Sequence, residues 1–228
     1  MPYKVSNFRR NFESRTSSLI STSYTAHRKS IAGSVRDLAF QGAIIQASAA
    51  IEDYIREVFD AWAFKLKTNA MNGSTIPYRA RVATVKPKLE KHFSSFGYTH
   101  DEMQFLKKLE DEKSTWDFLT GSTQIPNTFD GSSIYNERKY PSVKNLKVLY
   151  CRIGVDNIFA EISRIIKADA EMRLESFNSI RSALAHSNPP QLTYLDVKRN
   201  ISDVQSLVQG MDRVIFRTLS RNFGGPIW

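Results

Sequence analysis

From about Ser34 to Lys67 the chain runs without a proline, and its apolar residues keep a helical rhythm. Leu38, Ile45, Ile55, Phe59, Trp62 and Leu66 recur at spacings that fit one stripe of a single long helix. A segment of that length cannot be folded into a sheet without breaking the pattern, so it commits its surroundings to helix-on-helix packing. Asn72, Gly73 and Pro77 then interrupt it. With 228 residues, 14 Phe, 9 Tyr and 3 Trp, the chain can bury a full core and is too aromatic for disorder.

Further along, the spacing predicts a helix from Pro87 to Phe96 closed by Gly97, and another from Glu102 to Phe118 capped by Asp101. Residues 119–141, with Gly121, Pro126, Gly131 and Pro141 among Ser, Thr and Asn, read as one long loop. Ser142 caps a helix that stops at Gly154, and Asp156 caps the short segment after it. A strong helix is expected from about Ala168 to His186, ended by Ser187, Asn188, Pro189 and Pro190. Thr193 or Asp196 starts the last one, which carries Val204, Leu207, Met211, Val214 and Leu219 to about Asn222. The expected class is all-α: one domain over 1–228, with 1–33 as an N-terminal helical extension.

Lys and Arg number 32 against 23 Asp and Glu, for a net charge of +9, which points first to nucleic acid and second to an anionic membrane surface. The charge-free stretch from Leu38 to Ile51 is too short to span a bilayer, and the N-terminus lacks a signal peptide's apolar core. The lone Cys151 can form neither an internal disulfide nor a Cys-rich zinc site. A cytoplasmic protein without membrane association is the expectation. No GxxxxGK[ST], HExxH, CxxC or GxSxG occurs, and His27, His92 and His100 have no second ligand at a useful spacing. Neither a metal nor a cofactor is expected.

One segment carries chemistry: Arg181-Ser182-Ala183-Leu184-Ala185-His186 at the end of an amphipathic helix, before Pro189-Pro190. On an ideal helix Arg181 and His186 project about 140° apart. Unwinding toward Ser187 and Asn188 would release the histidine from that phase. This Arg-x4-His sequence, led by LESFNSI and set on the penultimate helix of an all-α chain, resembles the HEPN superfamily. The long early helix AIIQASAAIEDYIREVFDAWAF is similar to the opening helix of its RiboL-PSP or MAE-type branch.

The resemblance implies a metal-independent endoribonuclease with Arg181 and His186 as catalytic residues, Ser182 as an auxiliary phosphate contact, and a homodimer that brings two Arg-His pairs into one cleft. It also implies an antitoxin or effector-complex partner in a bacterial defence or toxin–antitoxin setting. Two positions depart from the family: Ser182 stands where many members have Asn, Asp or His, and Asn188 where toxins regulated by nucleotidyltransferases often have Tyr. The alternative is a non-catalytic domain of the same type that binds RNA or nucleotide, or serves as a dimeric module. A helical DNA-binding protein has no helix-turn-helix spacing to support it.

The residue types suit RNA cleavage. A histidine with a pKa near neutrality can take or give a proton, and an arginine presents a permanently charged donor fork to phosphate. Glu52 falls on the same helical track as Ile45, Ser48, Ile55 and Phe59, where a carboxylate needs a partner. Arg181 is the candidate, which would make Glu52 an orienting residue; the alternative is that Glu52 sits at the edge of the stripe and reaches solvent. Arg213, Arg217 and Arg221 form a basic stripe at i+4 spacing on the last helix and are candidate RNA contacts together with Asn188. Tyr194 and Trp228 are candidates for stacking on bases.

Overall fold

The computed structural model describes residues 2–69, 72–121, 124–135, 140–186 and 189–223, with backbone alone at 69 and 221–223. Its elements are α1 (Asn7–Arg28), α2 (Gly33–Asn69), a short 3-10 turn (Gly73–Thr75), α3 (Tyr78–Thr99), α4 (Glu102–Asp111), α5 (Lys113–Thr120), α6 (Gly131–Tyr135), α7 (Val143–Arg152), α8 (Ile158–Ile166), α9 (Ala170–Ala183) and α10 (Tyr194–Phe223). Among the described residues all regular structure is helical, and no helix is long and apolar enough to cross a membrane.

The long helix expected around 34–67 forms as α2 and runs through the centre, against α1 on one flank, α10 and α9 on another, and α6 near its C-terminal half. The expected stripe, however, splits in two. Ile55, Phe59, Trp62 and Leu66 are buried as the spacing requires, whereas Leu38 and Ile45 are 67% and 50% exposed. In the first half of α2 the core is made instead by Phe40, Ala43, Ile44, Ala47 and Ile51. Alanines there let neighbouring backbones approach closely, so α2 turns Ala43 and Ala47 inward beside Phe40, Ile44 and Ile51 and leaves Leu38 and Ile45 outside.

Several boundaries differ from the sequence pattern. The helix expected to begin at Pro87 begins at Tyr78, carries Pro87 in its interior, and passes Gly97 to end at His100 in the left-handed conformation (φ 51°). Burial of Ala80, Ala83, Thr84 and Val85 outweighs the one hydrogen bond that proline forfeits. The helix expected over 102–118 breaks at Glu112. There Trp116 Nε1 donates to Leu109 O at 2.7 Å, occupying the carbonyl that a continuous helix would have paired with residue 113. Asn157, not Asp156, caps α8, accepting from Ala160 N at 3.1 Å. The caps at Asp101 and Ser142 form as expected, at 2.9 and 3.1 Å.

Within the segment read as one loop, residues 131–135 form α6, which lies directly on α2. A Cβ on Gly131 would come 2.6 Å from Asp60 Cα, so only glycine allows this contact. The segment 1–33 belongs to the body: Phe12 and Ala26 of α1 are in the core, and Phe12 meets Tyr54 at 6.2 Å between ring centroids.

The N-terminal segment is fastened to α10 by a fully buried carboxylate. Asp212 accepts from Tyr3 Oη at 2.5 Å, from Ser6 N and Tyr54 Oη at 3.3 Å each, and from the Ser6 hydroxyl. Burial, reinforced by the Asp212 charge, pushes the Tyr3 hydroxyl up to about 12, so it stays a donor throughout the neutral range. Asp212→Ala strands several buried donors at once and should cost about 3 kcal/mol in urea unfolding. Tyr54→Phe, which leaves the other donors to Asp212 in place, should cost about 1 kcal/mol.

Candidate functional site

Arg181 lies in the last turn of α9, a helix set by the Asp169 cap (to Met172 N, 2.9 Å) and by burial of Ala170, Leu174 and Phe177. The helix ends at Ala183, three residues before the expected His186. The unwinding expected toward Ser187 and Asn188 lies outside the described residues. Ala185 N donates to Ser182 O at 3.0 Å and His186 N to Ala183 O at 3.3 Å, so the last turn tightens into i→i−3 bonds. Ser182 and His186 are exposed, and Arg181 is half-buried. Among the described residues no ion pair engages Arg181, and no side-chain hydrogen bond or ion pair engages His186.

Two neighbours act on the Arg181 guanidinium. Its carbon lies 5.1 Å from the ring centroid of Tyr140, at the end of the long loop. Glu52, half-buried on α2, feels its charge: burial raises the Glu52 carboxyl above its ordinary value, Arg181 pulls it down, and Asp53 pushes it up again. Among the described residues the carboxylate and guanidinium close no ion pair. Glu52 therefore sits where α2 passes from its exposed apolar face to the core, at the edge of the stripe and within electrostatic reach of Arg181.

The other candidates lie elsewhere. Arg213 packs its guanidinium carbon 5.0 Å from the Tyr3 ring centroid, and Arg217 reaches Glu161 at 4.0 Å. Both lie beyond Asp203, which joins α10 to α9 through Arg173 at 3.0 Å, so they are on the far side of that link from Arg181. Arg213 is roughly 28 Å along the α10 axis from Tyr194. The structure does not bring this stripe to Arg181. The Arg221 side chain, Asn188 and Trp228 fall outside the described residues. Tyr194 stacks on His27 at 5.5 Å and tilts against Tyr24, fastening the start of α10 to the end of α1. Other basic residues spend their charge within the fold: Arg9 on Glu13 at 2.7 Å, Arg15 on Asp53 at 2.7 Å, and Lys88 on Glu112 at 3.2 Å.

The sequence pattern missed Tyr140 and Asn178. Asn178, on α9 three residues before Arg181, donates to Pro141 O at 2.9 Å and ties the loop to the helix. The only hint was the unusual length of the loop, which marks a region and not a residue.

A model of the RiboL-PSP-HEPN family matches residues 10–216, from the first turn of α1 almost to the end of α10. The chain belongs to that family. The match covers both α2, with Glu52, and α9, with the Arg-x4-His segment of this HEPN chain. No curated protein and no solved structure matches it.

The raised Glu52 carboxyl has a thermodynamic consequence. Its folded pKa lies above the unfolded one, so the stability it contributes is complete at low pH and is lost as pH rises through the folded value. Glu52→Gln should therefore raise the melting temperature at pH 7, and the difference from wild type should vanish below about pH 4, where both side chains are neutral.

Proposed function

We propose that this HEPN protein is a metal-independent endoribonuclease whose catalytic residues are Arg181 and His186. HEPN domains are often ribonucleases. The observation that carries the reading is that Arg181 and His186, at one helix end, keep their functional groups out of ion pairs among the described residues.

In the proposed reaction the 2′-oxygen attacks the adjacent phosphorus and the P–O5′ bond breaks. The products are a 2′,3′-cyclic phosphate and a 5′-hydroxyl. A base removes the 2′-OH proton, an acid protonates the leaving 5′-oxygen, and Arg181 holds the phosphoryl oxygens as negative charge gathers on them. Ser182, exposed beside Arg181, is a further phosphate donor in this scheme. Glu52 orients the guanidinium through charge. One imidazole cannot serve as base and acid in the same step, so His186 and the partner's His186 divide the roles across a two-fold axis.

The outer face of α2 supports that assembly. Val35, Leu38, Gly42, Ile45 and Ala49 follow alternating steps of three and four, the spacing of a coiled-coil seam. Val35, Leu38 and Ile45 are 54%, 67% and 50% exposed, and a Cβ on Gly42 would meet nothing within 4 Å. The next position on the seam is Glu52, so a second copy seated there lies against the candidate site. A role as toxin or defence effector, held in check by an antitoxin or effector complex, completes the proposal. A non-catalytic module that binds RNA is the second reading, favoured by the net positive charge of +9.

End-labelled RNA incubated with the protein in EDTA should be cut to cyclic-phosphate ends, with losses of about 10²-fold or more for His186→Ala and Arg181→Ala. A mixed dimer of wild type and His186→Ala should lose nearly all activity, and retention of half would exclude a shared site. Absence of cleavage by folded wild-type dimers would favour the binding module. Leu38→Asp with Ile45→Asp should yield a monomer in light scattering and abolish cleavage together with the dimer.

A further inference from the structure

The end of the long loop is held from both sides. Tyr140 O accepts from Ser142 N at 2.8 Å and from Asn145 Nδ2 at 3.0 Å, which ties it to the start of α7. Pro141 O accepts from Asn178 Nδ2 at 2.9 Å, which ties it to α9. Pro141 also restricts the backbone of Tyr140 to extended conformations. Asn178 and Arg181 are three residues apart on α9 and so share a face. The carbonyl anchored by Asn178 thus directly follows the residue whose ring lies under the Arg181 guanidinium, 5.1 Å from centroid to carbon.

The choice of an aromatic partner matters chemically. An arginine side chain has about 2 kcal/mol of rotamer entropy, and something must restrain it if it is to meet a phosphate in one orientation. A carboxylate would restrain it by occupying its N–H donors and cancelling its charge. A ring restrains the guanidinium from its flat side, leaving the in-plane donors and the positive charge available. Glu52 acts on the same charge from α2 but does not close on it.

We propose that Tyr140 is a positioning residue for Arg181, holding the guanidinium plane so that its donor edge stays free for a phosphate oxygen. This rests on the ribonuclease reading for its consequence, but the positioning itself can be observed without catalysis. The contact needs the ring and not the hydroxyl.

Two measurements test it on the full-length protein carrying Tyr140→Phe, Tyr140→Leu or Asn178→Ala. The first is the 15N-edited Nε–Hε resonance of Arg181, identified by its loss in Arg181→Lys. In wild type and Tyr140→Phe it should be shifted by the ring and slow to exchange. In Tyr140→Leu it should move to the position and exchange rate of a free arginine, and Asn178→Ala should move it part of the way. The second is single-turnover RNA cleavage: Tyr140→Leu should lower the maximal rate about tenfold with little change in half-saturation, and Tyr140→Phe should retain it. In an Arg181→Lys background Tyr140→Leu should cost nothing more.

An unchanged Arg181 resonance in Tyr140→Leu would overturn the proposal, as would equal losses in Tyr140→Phe and Tyr140→Leu. If wild type cuts no RNA, the ribonuclease reading falls while the resonance still decides the positioning. Should Tyr140→Leu fail to fold, Tyr140→Met, with similar volume and no ring, reads the same outcomes.

Discussion

The protein is organised around the side of α2 that faces inward. Ile44, Ala47, Ile51, Ile55, Val58, Phe59 and Trp62 are each no more than 2% exposed, and α1, α6, α9 and α10 all pack on the helix that carries them. Fully burying the branched and aromatic side chains among them is worth about 1.5–3 kcal/mol each before entropy is charged against it. Because one helix supplies this surface, its rotation about its own axis fixes where everything else lies. It puts Tyr54 beside Asp212 and Asp60 against Gly131, and it leaves Leu38 and Ile45 outside.

That rotation also positions the candidate site. Glu52 sits at the boundary between the buried and exposed faces of α2, where a carboxylate is too dehydrated to be indifferent and too exposed to demand an ion pair. Across from it, α9 delivers Arg181 in its last turn, and the loop end delivers Tyr140. The cation thus has a ring 5.1 Å from its carbon and a carboxylate within reach of its charge, and among the described residues it closes no ion pair. Such an arrangement gives up the stability of a closed salt bridge and keeps a charge that an anionic substrate can use. The buried Asp212 is the contrasting case: hydroxyls and a backbone amide converge on it, and it fastens the N-terminal segment to α10.

Much of this was legible beforehand, for identifiable reasons. The caps at Asp101 and Ser142 were readable because capping is a local bond between a side chain and an amide three residues on. The Arg181–His186 segment stood out as a candidate because its spacing and its place before Pro189 are local too. The interior Pro87 and the break at Glu112 were not, because each depends on what another part of the fold supplies: buried alanines in one case, the Trp116 indole in the other. The same holds for Leu38 and Ile45, whose periodicity predicts an apolar face without saying which of two apolar faces the neighbours will take.

The sequence by itself determined the helical class, the central long helix, the starts of α2, α4, α7 and α10, and which side chains are candidates for chemistry, since these follow from periodicity, caps and side-chain identity. Only the tertiary structure decided which face of α2 is core, that the Arg213–Arg217 stripe lies apart from Arg181, and that Tyr140 lies against the guanidinium. Those facts join residues far apart in the chain, and no local rule connects Tyr140 to Arg181 until α7 and α9 have packed and the loop end is tied between them.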